Sequence, residues 1–254
     1  MSFSEEIGAA YGAEPHNILP FIGDGFERRR AGDLRVAVVG LNAYFSERHW
    51  PPDPVTAPAD WTRRFREGDG RYFTSARKLV AEVAAAIGPA VGGSPRSEGL
   101  SFDFPSTVYA TNAVKVWVRA GKRSSSVNDK MLVDGEVIWR KELALMAEHD
   151  VLPHLIVVLA QRFWGAGCRT FRTPPPGLQV HEHVSTGSAG FERSTCWHFV
   201  NRYVVQGQGD PQPLVLLRLY HPSAPKKRDQ DGLARGTVRW LAAQPDFRAV
   251  VGLP

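Results

Sequence analysis

The sequence predicts an α/β fold, a three-layer α/β/α sandwich around a central, mainly parallel sheet of four strands. Four segments are continuously apolar and rich in β-branched residues, as is typical of strands that are covered on both faces. Segments with helical periodicity lie between them, and this alternation favours right-handed crossovers in a parallel sheet. The four predicted strands are 35–41, 107–116, 155–160 and 213–220.

Three segments have the pattern of helices that cover such a sheet. The alanine-rich segment 74–88 opens with Thr74 and Ser75, two residues suited to capping a helix. The segment 134–149 places its apolar residues at helical spacing. A last helix is predicted for residues 234–243.

The chain reads as one domain, 1–254. Its 254 residues, 43% of them hydrophobic, suffice for one large core. Residues 1–32 are predicted to be an N-terminal extension, and residues 173–210 a possible insertion in which 178–206 form a hairpin. The first 21 residues have no sustained apolar run, so neither a signal peptide nor a membrane span is expected. We expect a soluble, cytoplasmic monomer.

Composition excludes several kinds of site. The 2 cysteines, Cys168 and Cys196, form no CxxC pair, which excludes a disulfide framework and four-cysteine zinc or iron-sulfur centres. His181 and His183 share one face of a predicted strand, but two ligands are too few for a metal site. No glycine-rich phosphate loop occurs. We therefore expect neither a metal nor another cofactor, while the net charge of +5 is compatible with a polyanionic partner without identifying one.

Polar side chains follow the predicted strands at the points where these end. Asn42 follows the first strand, Asn112 and Lys115 lie at the end of the second, and His221 follows the fourth. Ligands of such sheets bind beyond the carboxyl ends of the strands. Two amides and an imidazole can hold a planar heterocycle and stabilise an anion, but none is a strong nucleophile.

Three motifs around these residues resemble the signature regions of the uracil-DNA glycosylase superfamily. They are "VVGLNAYF", "YATNAVK" and "LYHPSA", in that order and each at a predicted strand end. The resemblance runs from about Leu34 to Trp240. Each motif is weak alone, whereas the ordered set is much more specific. The resemblance implies a cofactor-free DNA glycosylase that removes uracil from DNA in base excision repair.

The resemblance also implies a role for each matching residue. Asn42 falls where the superfamily positions the hydrolytic water, and His221 resembles the histidine that hydrogen-bonds uracil O2. Asn112 resembles the asparagine that reads the uracil edge. Tyr44 falls where a tyrosine crowds the C5 methyl of thymine, and Phe73 resembles the aromatic residue on which the flipped base stacks.

DNA contacts are expected from residues around the second and third motifs. We assign them to Lys115, Ser223, Lys226, Lys227 and Arg228. A cationic run that grips phosphates would make binding fall steeply with salt.

The sequence departs from the superfamily pattern in several places. Ala43 replaces the usual proline, and Asn42 cannot accept a proton as a carboxylate does. The apolar wedge that follows the His-Pro-Ser motif in most branches is missing, since Ala224 and Pro225 lead into the cationic run. The motifs mix features of several branches, so neither the branch nor the preferred strandedness follows from them.

Other interpretations stay open. The chain could bind nucleic acid or a nucleotide on the same scaffold with weak or lost catalysis. It could be an unrelated α/β hydrolytic enzyme that uses Cys168 or Cys196 with His198. Each candidate also has a structural interpretation: the asparagines as turn or capping residues, the histidine and the rings as packed residues, and the cations as a solvated surface.

Overall fold

The described part of the chain is a mixed α/β fold. The structure is a computed structural model and describes residues 1–11, 18–27, 35–41, 44–45, 63–67, 108–116, 118–119, 127–153, 155–159, 173–191, 194–205 and 212–218. The helices are α1 (Phe3–Tyr11), α2 (63–67) and α3 (Asp129–Glu148). The strands are β1 (Phe21–Ile22), β2 (Val36–Gly40), β3 (Tyr44–Phe45), β4 (Val108–Asn112), β5 (Val118–Arg119), β6 (Leu155–Val158), β7 (Leu178–Phe191), β8 (Ser194–Val205) and β9 (Gln212–Arg218).

Seven of these strands form one sheet in the order β1-β4-β2-β6-β9-β8-β7. Its centre, β4-β2-β6-β9, is parallel throughout, whereas β1, β8 and β7 pair antiparallel at the two sides. The four central strands are the four that the sequence predicts, so the mainly parallel central sheet is confirmed. The continuous apolar runs predict these strands, because a strand that is covered on both faces has apolar side chains without alternation.

The register brings the carboxyl ends of the four central strands to one edge. Val39 of β2 pairs with Thr111 of β4 and with Val158 of β6, and Val158 pairs with Arg218 of β9. One row of neighbours therefore crosses all four strands. We call the side of the sheet just beyond this row the carboxyl edge.

One face of the sheet packs against α1 and α3. It presents Ala37, Val39, Tyr109, Ile156 and Leu216, all buried in one cluster. The residues that the helices bury in this cluster are Phe3, Ile7 and Tyr11 from α1 and Leu132, Trp139, Leu143, Met146 and Ala147 from α3. Residues 1–32, which we expected to be an extension, thus contribute a helix to the core and β1 to the sheet.

The opposite face of the sheet is buried too. Val38, Ala110 and Val157 alternate with the residues of the first face and are each at most 3% exposed. Phe21 of β1 pairs with Ala110 and so lies on this second face. The ring of Phe65 from α2 lies 4.9 Å from that of Phe21, centroid to centroid. Helix α2 therefore packs at the β1 end of the second face.

Helix α3 begins five residues earlier than the predicted segment 134–149. Asn128 is its N-cap, and its side-chain oxygen accepts a hydrogen bond from the backbone N–H of Met131 at 2.9 Å. This cap satisfies one of the backbone donors that every helix start leaves open. Asn128 lies outside the predicted segment, so the predicted start of this helix was wrong.

Strands β7 and β8 form the predicted hairpin, and β8 joins it to β9. Trp197 pairs with Arg218, the last residue of β9, so Ser194 to Cys196 continue past it. At about 3.4 Å per residue, β8 overhangs the carboxyl edge by roughly 10 Å.

Two predicted helices, 74–88 and 234–243, lie outside the described residues. Within the described ranges, no helix is long and apolar enough to cross a membrane.

Candidate functional site

Asn112 is a buried polar residue at the carboxyl edge. It is the last residue of β4 and only 6% exposed. Its side-chain nitrogen, Nδ2, has no hydrogen-bond partner in the described part of the chain. A buried donor without an acceptor costs about 1–3 kcal/mol. A ligand that brings an acceptor to Nδ2 would remove this cost.

The neighbour of Asn112 in the sheet is a glycine. Gly40 pairs with Asn112 in the register of β2 and β4, and it has no side chain. Because side chains alternate along a strand, Asn112 lies on the second face with Ala110, opposite Thr111. The amide therefore lies on the second face, at the end of the sheet where parallel α/β proteins bind ligands.

The segments that follow β2 and β4 run on side by side beyond the sheet. The N–H of Ala113 donates to the carbonyl of Gly40 at 2.8 Å, and that of Val114 donates to Leu41 at 2.9 Å. Further on, β3 and β5 pair in parallel, with Tyr44 opposite Val118. The backbone of Tyr44 thus lies on the same pair of segments as Asn112.

Lys115, expected to contact DNA, is instead inside the domain. Its residue is 3% exposed, and its Nζ donates to both carboxylate oxygens of Glu142 at 2.8 Å and to Thr111 Oγ1 at 2.6 Å. The rings of Tyr11 and Trp139 each lie 5.8 Å from Nζ. An ammonium in this position has no access to a phosphate, so a DNA contact does not fit this placement.

Lys115 belongs to a group that we call the buried polar cluster: Tyr11, Thr111, Lys115 and Glu142. The Tyr11 hydroxyl donates to Glu142 Oε1 and lies 3.3 Å from Thr111 Oγ1. Thr111 Oγ1 in turn donates to Glu142 Oε1 at 3.2 Å. The cluster connects α1, β4, the segment after β4 and α3.

The environment of the cluster shifts the pKa values of its members. Burial lowers the pKa of Lys115, and the charge of Glu142 opposes that shift. Burial, followed by the negative charge of Glu142, raises the pKa of Tyr11 well above its ordinary value of 10.0. Tyr11 therefore keeps its proton and remains a donor to the carboxylate.

Sequence reasoning missed Tyr11, Thr111 and Glu142, although part of the cluster left a signal. Glu142 falls on the apolar face of α3, between Trp139 and Leu143. Lys115 interrupts an otherwise apolar run. Two charges of opposite sign at positions that the pattern predicts to be buried indicate an internal ion pair, because an unpaired buried charge is very costly.

The other predicted site residues are outside the described ranges. They are Asn42, Phe73, His221, Ser223, Lys226, Lys227 and Arg228. The strands that precede two of them do end at the carboxyl edge. Asn42 follows Gly40 by two residues, and His221 follows Arg218 by three.

For the alternative enzyme that uses a cysteine with His198, the structure describes only backbone positions. Cys196 and His198 lie two residues apart in β8, where their backbones pair with Ala189 and Gly187. Cys168 is outside the described ranges. Within those ranges, no group of three or more histidine, cysteine, aspartate or glutamate residues is arranged to hold a metal ion.

The chain was compared with protein-family models and with curated proteins. No protein-family model matches the chain. No curated protein is significantly similar to it.

Proposed function

We propose that this protein is a DNA glycosylase that hydrolyses the N-glycosidic bond of uracil, or of a related deaminated base, in DNA during base excision repair. One observation carries the proposal: Asn112, in the motif that resembles the base-reading region of the uracil-DNA glycosylase superfamily, has an open, buried amide at the carboxyl edge. We further propose that the fold is a three-layer α/β/α sandwich.

The amide of Asn112 is complementary to the edge of uracil. Its Nδ2–H can donate to O4, and its Oδ1 can accept from N3–H. Cytosine presents an amino group in place of O4 and a bare nitrogen at N3, so both hydrogen bonds would be lost. A site with buried polar groups rejects a ligand that leaves those groups unpaired. Asn112 would therefore select uracil over cytosine.

The reaction needs charge stabilisation more than a nucleophile. Cleavage of the glycosidic bond develops positive charge on the sugar and negative charge on the departing base. A positioned donor to the base oxygen commonly contributes about 3 kcal/mol to such a step. We assign this donor to His221 as a neutral imidazole, aimed at O2. Asn42 would orient the attacking water without accepting its proton, which implies a slow chemical step.

The width of the sheet is compatible with one base between Asn112 and His221. Strands β4 and β9 are three neighbours apart, or about 14 Å at 4.8 Å per strand. The base must first leave the DNA stack, and a mispaired uracil does so at a lower cost than a well-paired base.

The remaining predicted residues would complete the complex with DNA. Tyr44 would exclude the methyl group of thymine, and Phe73 would stack on the flipped base. Ser223 and the cations Lys226, Lys227 and Arg228 would contact phosphates, so binding should weaken as salt is added. Lys115 is left out of this set because its ammonium is paired inside the domain.

The test is base release from defined DNA. The purified protein is incubated with labelled single- and double-stranded oligonucleotides that carry one uracil, and abasic sites are cleaved with alkali. We expect cleavage at uracil in the parent and a strong loss in Asn112→Ala and His221→Ala. Absence of cleavage at uracil, hypoxanthine and xanthine would contradict the proposal.

A binding protein with weak or lost catalysis is the second candidate. It is favoured by Ala43 in place of proline, by the missing wedge and by an amide at Asn42. It predicts salt-sensitive DNA binding without product, and a His221→Ala variant that binds as well as the parent.

A further inference from the structure

We infer that the buried polar cluster, together with Gly135 of α3, is a positioning device that holds Asn112 at the carboxyl edge. The inference rests on the proposed function, since it concerns the amide proposed to read the base. It assigns Lys115 and Glu142 a role through Asn112, without contact to the base or to DNA.

The cluster fixes the chain on both sides of Asn112. Thr111 comes immediately before it, and Lys115 follows three residues later. Lys115 Nζ donates to Thr111 Oγ1 at 2.6 Å and to Glu142 at 2.8 Å, so one ammonium joins the two flanks of Asn112 to α3. A shift of either flank would break a charge-assisted hydrogen bond.

Backbone hydrogen bonds fix the segment between those flanks. Ala113 and Val114 donate to the carbonyls of Gly40 and Leu41, and the Lys115 carbonyl accepts from the N–H of Ile18 at 2.7 Å. The segment is thus bound on one side to the chain that leads to Asn42 and on the other to the chain that precedes β1. Asn112 cannot move without disturbing both.

Helix α3 closes the remaining side. An added Cβ at Gly135 would lie 1.8 Å from the carbonyl oxygen of Ala113, the residue after Asn112. Only glycine allows the helix to approach this peptide so closely. The helix that supplies Glu142 therefore also contacts the backbone next to Asn112, one and a half to two turns earlier along its length.

A purely stabilising role explains the ion pair poorly. Replacement of a buried ion pair by apolar residues of similar size is often neutral or stabilising, since the desolvation of two charges offsets their attraction. Contacts between apolar residues, however, are not directional as hydrogen bonds are. The Lys115 ammonium donates to three acceptor atoms in a fixed geometry, Thr111 Oγ1 and the two carboxylate oxygens of Glu142, and this geometry specifies where the strand end lies. An unpaired amide such as that of Asn112 needs this specification.

The test separates position from stability by removing both charges. Lys115→Met/Glu142→Leu replaces the pair with apolar residues, and Thr111→Val removes the hydroxyl link while keeping the pair. The matched control is Glu148→Gln, an exposed carboxylate on the same helix. Three quantities are measured for each variant: thermal stability, the side-chain NH₂ signals of Asn112 in the ¹H–¹⁵N spectrum, and kcat and KM for uracil release. The signals are assigned by their loss in Asn112→Ala.

We expect the double variant to melt near the parent while its Asn112 signals shift or broaden. Its kcat/KM should fall by about 10- to 100-fold, as expected when a catalytic site is misplaced by about 1 Å, and its affinity for uracil-free DNA should stay unchanged. Thr111→Val should show the same changes to a smaller extent. The control should match the parent in all three quantities.

Unchanged Asn112 signals and unchanged kcat/KM in a folded double variant would overturn the inference. If the double variant does not fold, Thr111→Val decides by the same criteria. If the parent itself releases no uracil, the proposed function fails, but the Asn112 signals still report whether the cluster fixes the amide.

Discussion

Asn112 ends β4 and Lys115 follows it by three residues, yet the hydrogen bonding of their two side chains differs completely. Both residues are buried, 6% and 3% exposed. Lys115 has partners on Thr111 and on both oxygens of Glu142. Asn112 Nδ2 has none within the described ranges.

The difference separates a structural polar group from a candidate functional one. A buried polar group that is fully paired stabilises one arrangement of the chain, whereas a buried group left open costs free energy until a ligand pairs with it. Both residues were predicted from the sequence to belong to the site. Their hydrogen bonds distinguish them, and the following changes test whether that distinction holds.

The largest effect should come from removing the hydrogen-bond partner of Lys115. Glu142→Ala leaves the buried ammonium of Lys115 without its counter-charge, so the free energy of unfolding should fall by about 3–5 kcal/mol. Urea denaturation measures it. Glu148→Ala, on the exposed side of the same helix, should change it by less than about 0.5 kcal/mol. Equal effects in the two variants would show that the pair contributes nothing specific.

Removal of the unpaired Asn112 amide should lower activity without lowering stability. Asn112→Ala deletes a donor that has no partner, so the free energy of unfolding should stay the same or rise slightly. The rate of uracil release, measured as kcat/KM, should fall by about 100-fold because two hydrogen bonds to the base are lost. A variant that unfolds easily but retains its activity would invert the two roles.

The close approach of α3 to the strand end predicts a difference between two helical glycines. Gly135→Ala places a methyl group against the Ala113 carbonyl and should cost about 1–3 kcal/mol of unfolding free energy. Gly8→Ala, in α1, meets nothing within 4 Å and should instead stabilise by about 0.5–1 kcal/mol. Thermal unfolding of both variants checks the prediction, and a stabilising Gly135→Ala would contradict the packing described for α3.

Two buried tyrosines near Glu142 should make the stability depend on pH. Burial and the Glu142 charge raise the pKa of Tyr11 and of Tyr109 well above 10.0. Above pH 10 the folded state therefore binds more protons than the unfolded chain, and stability falls by up to about 1.4 kcal/mol per pH unit for each tyrosine. Urea denaturation at several alkaline pH values measures this slope.

Lys115 changes the pH dependence of stability in the opposite direction, over a lower pH range. Burial lowers the pKa of Lys115 in the folded state below its ordinary value of 10.5. Between the folded-state pKa and 10.5, the unfolded chain binds more protons than the folded state, so stability rises with pH.

Tyr11→Phe and Tyr109→Phe should each reduce the loss of stability above pH 10. An unchanged slope in both variants would refute the assignment of that loss to these hydroxyls.

The central sheet could be predicted from sequence because burial on both faces leaves a direct pattern. The runs around Val36–Gly40 and Leu155–Val158 are apolar without alternation, and both are strands in the structure. The contribution of α1 could not be predicted in the same way. It buries Phe3, Ile7 and Tyr11, but such a short apolar stripe is equally compatible with a peripheral helix.

The position of Asn112 at the carboxyl edge was predictable from the sequence, but the hydrogen bonding of the polar side chains there was not. The rule that ligands bind beyond the carboxyl ends of parallel strands identifies the segment of Asn112. Whether a given polar residue there is open or paired depends on a partner far along the chain, as with Lys115 and Glu142, and no local pattern records that pairing. Three-dimensional contacts were required to show that Lys115 is buried and paired with Glu142.

The most direct test of whether the Asn112 amide reads the base is to add uracil and record the side-chain NH₂ signals of Asn112. In the ¹H–¹⁵N spectrum of the parent, the assigned side-chain NH₂ signals of Asn112 should shift in a saturable way as free uracil is added, and cytosine should produce no such shift. Signals that stay in place with uracil, or that respond equally to cytosine, would contradict the claim that Asn112 reads the base.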